Sequence, residues 1–223
     1  MMRAIAAALA ALVAFAGCGG DEPRNTAQRP AIDDEQLARV ARVLLLDSQD
    51  GGARFRGVVP VPDGDEALRV RGVVDWRRTR GRARFEPSSG RPRAFYWTAD
   101  VVLGESRRGD GRWIATRPGP TDHPVDATFR LLSALASDTI DNVAALRDQG
   151  VHFVRRDVVD GAPVEVFRLP RGNVTYWIGS ADGRLRRVDA DLAALGGVAT
   201  FVFSDRGAKR VRLPDRSHWA DGE

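Results

Sequence analysis

Over most of its length the chain alternates apolar and polar residues with a period of two, the pattern of β-strands that bury one face. Phe55, Gly57, Val59 and Val61 share one side of a first strand, Arg54 and Arg56 take the other, and Pro62-Asp63-Gly64-Asp65 supplies turn residues. In a second strand Leu68 and Val70 oppose Arg69 and Arg71, and the adjacent Val73-Val74 after Gly72 breaks the alternation as a β-bulge does. Shorter strands are predicted near Arg82 to Phe85 and Arg112 to Thr116. Between them Phe95, Trp97, Ala99, Val101 and Leu103 fall on one face of what reads as the longest strand. Past Gly150 the alternation resumes in six stretches: Val151 to Val159, Val164 to Leu169, Val174 to Gly179, Arg184 to Leu192, Val198 to Phe203 and Ala208 to Leu213. Turn signals such as Asp160-Gly161, Arg171-Gly172-Asn173 and Ala181-Asp182-Gly183 separate them.

Helical spacing interrupts this pattern in the middle of the chain. Val125, Phe129, Leu132 and Ala136 recur at steps of three and four behind Pro124, a residue favoured in a helix's first turn. A second helix is predicted from Ser137 or Asp138 to Gly150, presenting Ile140, Val143, Ala144 and Arg147. Nearer the N-terminus, Asp33 and Gln36 have the spacing of a capping box ahead of an apolar stripe, Leu37, Val40, Ala41 and Leu44, that runs to about Asp47. No repeat of 20 to 50 residues appears. The order of helix, strands, two helices and strands predicts an α+β fold: a large curved antiparallel sheet of about 11 strands, a half-open β-barrel, with central helices and an N-terminal helix.

Composition adds limits. At 223 residues, 43% hydrophobic and 29% charged, the chain suits one domain with a substantial core. The net charge of +4 is small, Lys209 is the only lysine, and the arginines are interleaved with aspartates, so most of them read as solvated outer faces rather than as a nucleic-acid track, and no nucleic-acid partner is expected. The N-terminus changes the picture more. Arg3 precedes an unbroken apolar run, Ala4 to Ala16, that ends in small residues before Cys18, the pattern of an export signal. Its 13 residues fall short of the roughly 20 that a bilayer-spanning helix needs. As the single cysteine, Cys18 leaves no intramolecular disulfide and no cysteine nucleophile for the mature chain.

Phe15-Ala16-Gly17-Cys18 resembles the lipobox of a bacterial lipoprotein signal, with phenylalanine where leucine is usual. The resemblance implies that Cys18 becomes the diacylglyceryl-modified first residue of the mature protein. The chain then divides into a signal peptide (1–17), a polar flexible tether (18–32), a single domain (33–216) and a C-terminal tail (217–223).

The element order, together with Val159-Asp160-Gly161-Ala162-Pro163-Val164, Tyr176-Trp177-Ile178, Asp182-Gly183-Arg184-Leu185 and Phe203-Ser204-Asp205-Arg206-Gly207 leading to Leu213-Pro214, resembles the LolA-like lipoproteins of actinobacteria, the LppX and LprG group. The resemblance spans nearly the whole mature chain. It implies a concave sheet and helices enclosing an apolar cavity, and a monomer anchored at the extracytoplasmic face of the cell membrane that binds or transports a lipid or lipoprotein acyl chains, without a cofactor or metal. A 16-carbon chain resists entering water by about 13 kcal/mol, so a carrier needs a comparably dry lining. The candidates for that lining are Phe55, Leu68, Val70, Trp97, Val101, Phe129, Leu132, Tyr176, Ile178 and Phe201. An alternative, resembling RseB-type regulators, is an interaction or sensor module that binds an envelope protein partner without moving lipid.

Arg77, Arg78, Arg80, Arg82 and Arg84 form the densest positive charge, and the alternation of Arg80, Arg82 and Arg84 puts them on one face, where they are expected to meet anionic lipid headgroups. Enzymatic signals are weak. His123, His152 and His218 lack metal-ligand spacing, no serine sits in a Gly-x-Ser-x-Gly elbow, and Asp122, His123 and Asp126 read as caps of the first central helix.

Overall fold

A computed structural model describes residues 32–62, 67–119, 123–169 and 173–222. The expected signal, Cys18 and the tether up to residue 31 lie outside the described residues, as do residues 63–65 of the first expected turn.

Twelve strands form one sheet: β1 (Gly52–Pro60), β2 (Ala67–Asp75), β3 (Arg80–Glu86), β4 (Arg93–Trp97), β5 (Val102–Glu105), β6 (Trp113–Thr116), β7 (His152–Val159), β8 (Ala162–Leu169), β9 (Val174–Gly179), β10 (Leu185–Leu192), β11 (Gly197–Ser204) and β12 (Trp219–Asp221). Their spatial order is β12-β6-β5-β4-β3-β2-β1-β11-β10-β9-β8-β7. Two meanders, β1 to β6 and β7 to β11, are therefore fused where β1 pairs antiparallel with β11. The far edges, β12 and β7, do not pair with each other, so the curved sheet is a trough and not a closed barrel. Helices α1 (Asp34–Asp50), α2 (Pro124–Ala134) and α3 (Val143–Asp148) contribute to the core cluster that the concave face buries.

The trough is floored by glycines lying opposite aromatic rings. Gly57 faces Phe201, Gly72 faces Phe55, Gly81 faces Trp97 and Gly104 faces Phe95, each pair directly opposed on adjacent strands. A Cβ at Gly81 would lie 2.1 Å from the Trp97 ring, and one at Gly57 would lie 2.6 Å from the ring of Phe201. The rings thus lie over backbone where any side chain would lift them. Antiparallel partners sit about 5 Å apart, within reach of an aromatic side chain, so the register alone decides which glycine each ring covers.

The capping box of α1 forms as its sequence predicts. Gln36 N–H donates to Asp33 Oδ1 at 2.7 Å and Asp33 N–H to Gln36 Oε1 at 3.2 Å. The helix continues past Asp47 and stops at Gly51, which takes φ 85° and donates its N–H to Asp47 O at 3.2 Å. Polar clamps fix it to the β7–β11 half. Arg39 pairs with Glu165 of β8, Asp50 accepts both Nε (2.7 Å) and Nη2 (2.8 Å) of Arg184, and Asp47 pairs with Arg206, just beyond β11.

Several elements differ from the sequence expectation. The predicted longest strand is a hairpin, β4 and β5, because Thr98 turns the chain: its N–H donates to Val101 O at 2.9 Å and its Oγ1 accepts from the amides of Asp100 and Val101 at 3.2 Å. Val73 and Val74 are no bulge, since β2 keeps unbroken register with both neighbours; Val74 enters the core while Val73 faces outward among arginine stems. The second central helix starts only at Val143, capped by Asn142, whose Oδ1 accepts from Ala145 N–H at 3.1 Å. The preceding stretch instead donates amides of Ser137 and Asp141 to the Leu44 and Ala41 carbonyls of α1, leaving Ile140 52% exposed. Residues Ala208 to Leu213 form no strand, because β1 and β10 already occupy both edges of β11. The chain runs past Gly52 to the opposite rim, where the expected tail adds β12 in parallel to β6.

Burial pushes the carboxyl of Asp47 up to about 7, against the pull of Arg206, whereas the hydrogen bond from Arg184 holds Asp50 below the usual carboxylate range. A raised native pKa means that the folded state binds more protons than the unfolded one, so the contribution of Asp47 is fully present below about pH 4 and is lost progressively as pH rises to about 7. The thermal midpoint is therefore expected to fall between pH 4.5 and pH 7, and Asp47→Asn to flatten that slope, as measured by calorimetry in matched buffers.

Candidate functional site

The sequence candidates for a ligand lining separate by position. Phe55, Val70, Trp97, Phe129, Leu132, Tyr176, Ile178 and Phe201 belong to one buried cluster on the concave face, with Leu68 packed at its margin. Val101 lies half-buried in the β4–β5 turn, outside that cluster. The protein's own side chains therefore occupy the interior of the trough. Aromatic contacts dominate the β1–β4 side: Phe55 meets Trp97 and Phe201 edge-on at 6.4 and 6.0 Å, and Phe129 of α2 stacks on Trp97 at 4.4 Å with 13° between the planes. Phe129 also meets Phe85 and Phe95 at 6.0 and 6.4 Å.

Open volume lies at the rim. A cleft of about 910 Å³ separates the β4–β5 turn from α2. Trp97, Val102 and Phe129 supply its apolar surface, and Thr98, Asp100, Arg117, Arg130 and Ser133 its polar surface. Two of the candidates, Trp97 and Phe129, thus reach both the cleft and the closed core, while Val102, Arg117, Arg130 and Ser133 escaped the sequence reading. The signal that would have found Val102 is the Thr98-x-Asp100 turn, which shifts every residue after it relative to β4.

The two long helices are held differently. Whereas ion pairs clamp α1, α2 is tied by a hydrogen bond from Trp76 Nε1, in the 3-10 turn between β2 and β3, to Leu132 O at 3.0 Å and otherwise by packing. Polar side chains of α2 grip the segment just before it: Arg130 donates Nε (3.2 Å) and Nη2 (2.8 Å) to Gly119 O, and Asp126 accepts from Gly119 N–H at 3.1 Å. Asp126 and His123 do not cap the helix as expected, since His123 makes no capping bond and Asp126 is turned to Gly119, and Asp122 lies outside the described residues. The indole N–H of Trp97 is buried with no hydrogen-bond partner among the described residues, a condition that costs about 1–3 kcal/mol when nothing accepts the bond.

The arginine trio expected at headgroups also divides. Arg80 is drawn to the buried Asp75, with Nε 3.2 Å from Oδ2, whereas Arg82 and Arg84 stand exposed on the convex face. Among the described residues no three His, Cys, Asp or Glu side chains gather as a metal site. His123 lies 3.5 Å from Asp126, His152 Nδ1 lies 3.0 Å from Gly150 O, and His218 sits in the short 3-10 turn before β12.

No family model matches the chain, and no curated protein does. Among solved structures, the lipoprotein LppX of Mycobacterium tuberculosis aligns over 82% of this chain and 100% of its own, with a TM-score of 0.50 and 14% identity. The two share a fold. Weaker likenesses are an uncharacterized conserved protein of Thermus thermophilus (TM-score 0.40, 14% identity, 77% of this chain and 89% of that one) and MucB of Pseudomonas aeruginosa, solved in complex with MucA (TM-score 0.37, 14% identity, 78% and 57%). The LppX-like, unclosed sheet with few helices is the architecture that the element order predicted.

The seat of Trp97 gives a direct test of this geometry. Gly81→Ala forces the indole off β3 and should destabilise the protein by about 1–3 kcal/mol, the usual range for overpacking, while loosening its stack on Phe129. Chemical denaturation with tryptophan fluorescence reads both effects, and an unchanged midpoint would contradict the register.

Proposed function

We propose that this protein is an extracytoplasmic lipoprotein, anchored through Cys18, that binds a hydrophobic ligand, a lipid or lipoprotein acyl chain, between the sheet and α2. The observation that carries this reading is the cleft of about 910 Å³ bordered by Trp97 and Phe129, because the same two rings continue into the aromatic core. Its volume lies within the roughly 300–1,000 Å³ typical of small-ligand sites.

An acyl chain enters this site by replacing contacts. Phe129 leaves its stack on Trp97, α2 lifts with its leading segment, and methylene groups take the place of the ring. An aromatic pair contributes about 0.5–1.5 kcal/mol beyond its buried area, whereas each buried methylene contributes about 0.8 kcal/mol, so a chain of a dozen carbons offsets the displacement. The unpartnered indole N–H of Trp97 suits an ester or amide carbonyl, and Arg117 and Arg130 at the cleft suit an anionic head. Anchoring follows from the lipobox. Two or more acyl chains on Cys18 hold the domain at a membrane surface, with residues 18–32 as the tether. No catalytic role is assigned to any side chain.

The filled interior favours one second reading. If the trough never opens, the fold is an anchored interaction or sensor module whose partner is an envelope protein.

Two measurements test these points. Cys18→Ala is expected to move the protein from the membrane fraction to the soluble extracytoplasmic fraction; equal membrane retention would contradict acylation there. Ala134 borders the cleft and is exposed, so Ala134→Trp fills the entrance without altering the core. Mass spectrometry of organic extracts should find lipid on the parent protein and at least fivefold less on this variant at an unchanged melting temperature. Lipid absent from both would favour the interaction module.

A further inference from the structure

The convex face carries a second feature, distant from α2. Successive residues on its outward side bring arginines into direct opposition: Arg56 of β1 faces Arg71 of β2, and Arg71 faces Arg84 of β3. In the next row Arg54 faces Val73, which faces Arg82, which faces Tyr96 of β4. These five arginines border a groove of about 430 Å³. Like charges placed directly opposite each other destabilise a sheet, and this groove places three in one row across about 10 Å, at roughly 4.8 Å per strand.

Acidic neighbours compensate only in part. Glu86 serves both Arg71 and Arg84, the latter at 3.6 Å; Asp160, at the tip of the β7–β8 hairpin, takes Arg56 at 2.7 Å; and Asp205, shared with Lys209, takes Arg54 at 2.8 Å. Arg82, in the second row, has no acidic partner among the described residues. Three carboxylates, one of them shared with Lys209, leave the five guanidinium groups of the groove in excess. Arg80, next along β3, is taken out of the set by Asp75.

We infer that this groove is a binding site for a phosphate group, a phosphomonoester or phosphodiester anion bridging Arg82 and the Arg71–Arg84 pair. Guanidinium forks match phosphate oxygens two at a time. A phosphate offers more acceptor oxygens than a carboxylate, so it can serve arginines from three strands at once, whereas the resident carboxylates reach one or two each. Beside the groove, and sharing Arg56 and Arg71 with it, Val58, Val202 and the stem of Arg69 form a smaller apolar depression of about 370 Å³, a setting that admits an amphiphilic phosphoester as well as a soluble one. The site is independent of the cleft at α2 and does not rest on ligand binding there.

The test uses the full chain carrying Cys18→Ser and two phosphate sources: phosphatidylglycerol vesicles in a phosphatidylcholine background, read by co-sedimentation, and inorganic pyrophosphate, read by calorimetry. Binding to at least one is expected, weakening steeply with salt. Arg71→Gln and Arg82→Gln should each lower the affinity about fivefold, the contribution of one arginine near an anionic surface. Asp160→Asn, which keeps a residue tolerant of the positive φ of 49° there and releases Arg56, should raise it. Binding to vesicles alone assigns a lipid headgroup; binding to both assigns a phosphoester of either source. No binding to either, or affinities unmoved by all three substitutions, would overturn the site, and so would binding of polyglutamate in place of both phosphate probes. Lipid recovered from the cleft should be the same in all of these variants, so failure of the groove leaves the reading of the cleft standing.

Discussion

The structure depends on the seating of aromatic rings over glycine. Phe201 over Gly57, Phe55 over Gly72, Trp97 over Gly81 and Phe95 over Gly104 form a chain of directly opposed pairs that crosses the sheet from β11 to β5. Each pair fixes register, because a slip of one residue turns the ring to the arginine face. The Gly57–Phe201 pair lies on the seam between β1 and β11, so it also joins the two meanders into one trough. Rings laid flat against backbone leave room above them for a helix, and Phe129 of α2 occupies that room by stacking on Trp97.

From this follows an unequal attachment of the helices. The α1 helix crosses to the β7–β11 half and is fixed by Arg39 and Asp50 through ion pairs with partners far along the chain, and by Asp47 hydrogen-bonded to Arg206. Side-chain packing does most of the holding of α2, and packing contacts can be exchanged for those of another apolar body at little net cost, whereas a broken buried ion pair leaves an uncompensated charge. The fold thus holds one helix by ion pairs and the other by packing, and the cleft lies beside the second. The convex face, by contrast, is rigid backbone bearing exposed arginines, and its chemistry needs no opening.

Much of the architecture is legible in the sequence because strand alternation and capping are local. Asp33 and Gln36 announce α1 directly, and Phe55, Val59 and Val70 of β1 and β2 fall on the buried side as their alternation predicts. What was not legible is set by partners distant in the chain. Thr98 breaks a strand pattern with no glycine or proline to mark it, and the Ser137 to Asn142 stretch gives up helix because its amides find the carbonyls of α1. Ala208 to Leu213 alternates like a strand but has no free edge to join. The candidate lining shows the same limit: Trp97 and Phe129 are correctly apolar and inward, yet only the register shows that they stack on each other and close the interior. The arginine groove was half visible, since Arg82 and Arg84 alternate in sequence, but Arg54, Arg56 and Arg71 join them only through strand pairing.

The central claim is that α2 is the wall that yields while the glycine-seated rings and α1 stay in place. Hydrogen–deuterium exchange with and without a long-chain lysophospholipid tests it most directly, because exchange reports the local free energy of opening. The account predicts that residues 124–134 exchange faster than α1 in the free protein, and that lipid changes protection in α2 and at Thr98 to Val102 while β1, β11 and α1 are unaffected. Protection of α2 equal to that of α1, with no change on adding lipid, would contradict it.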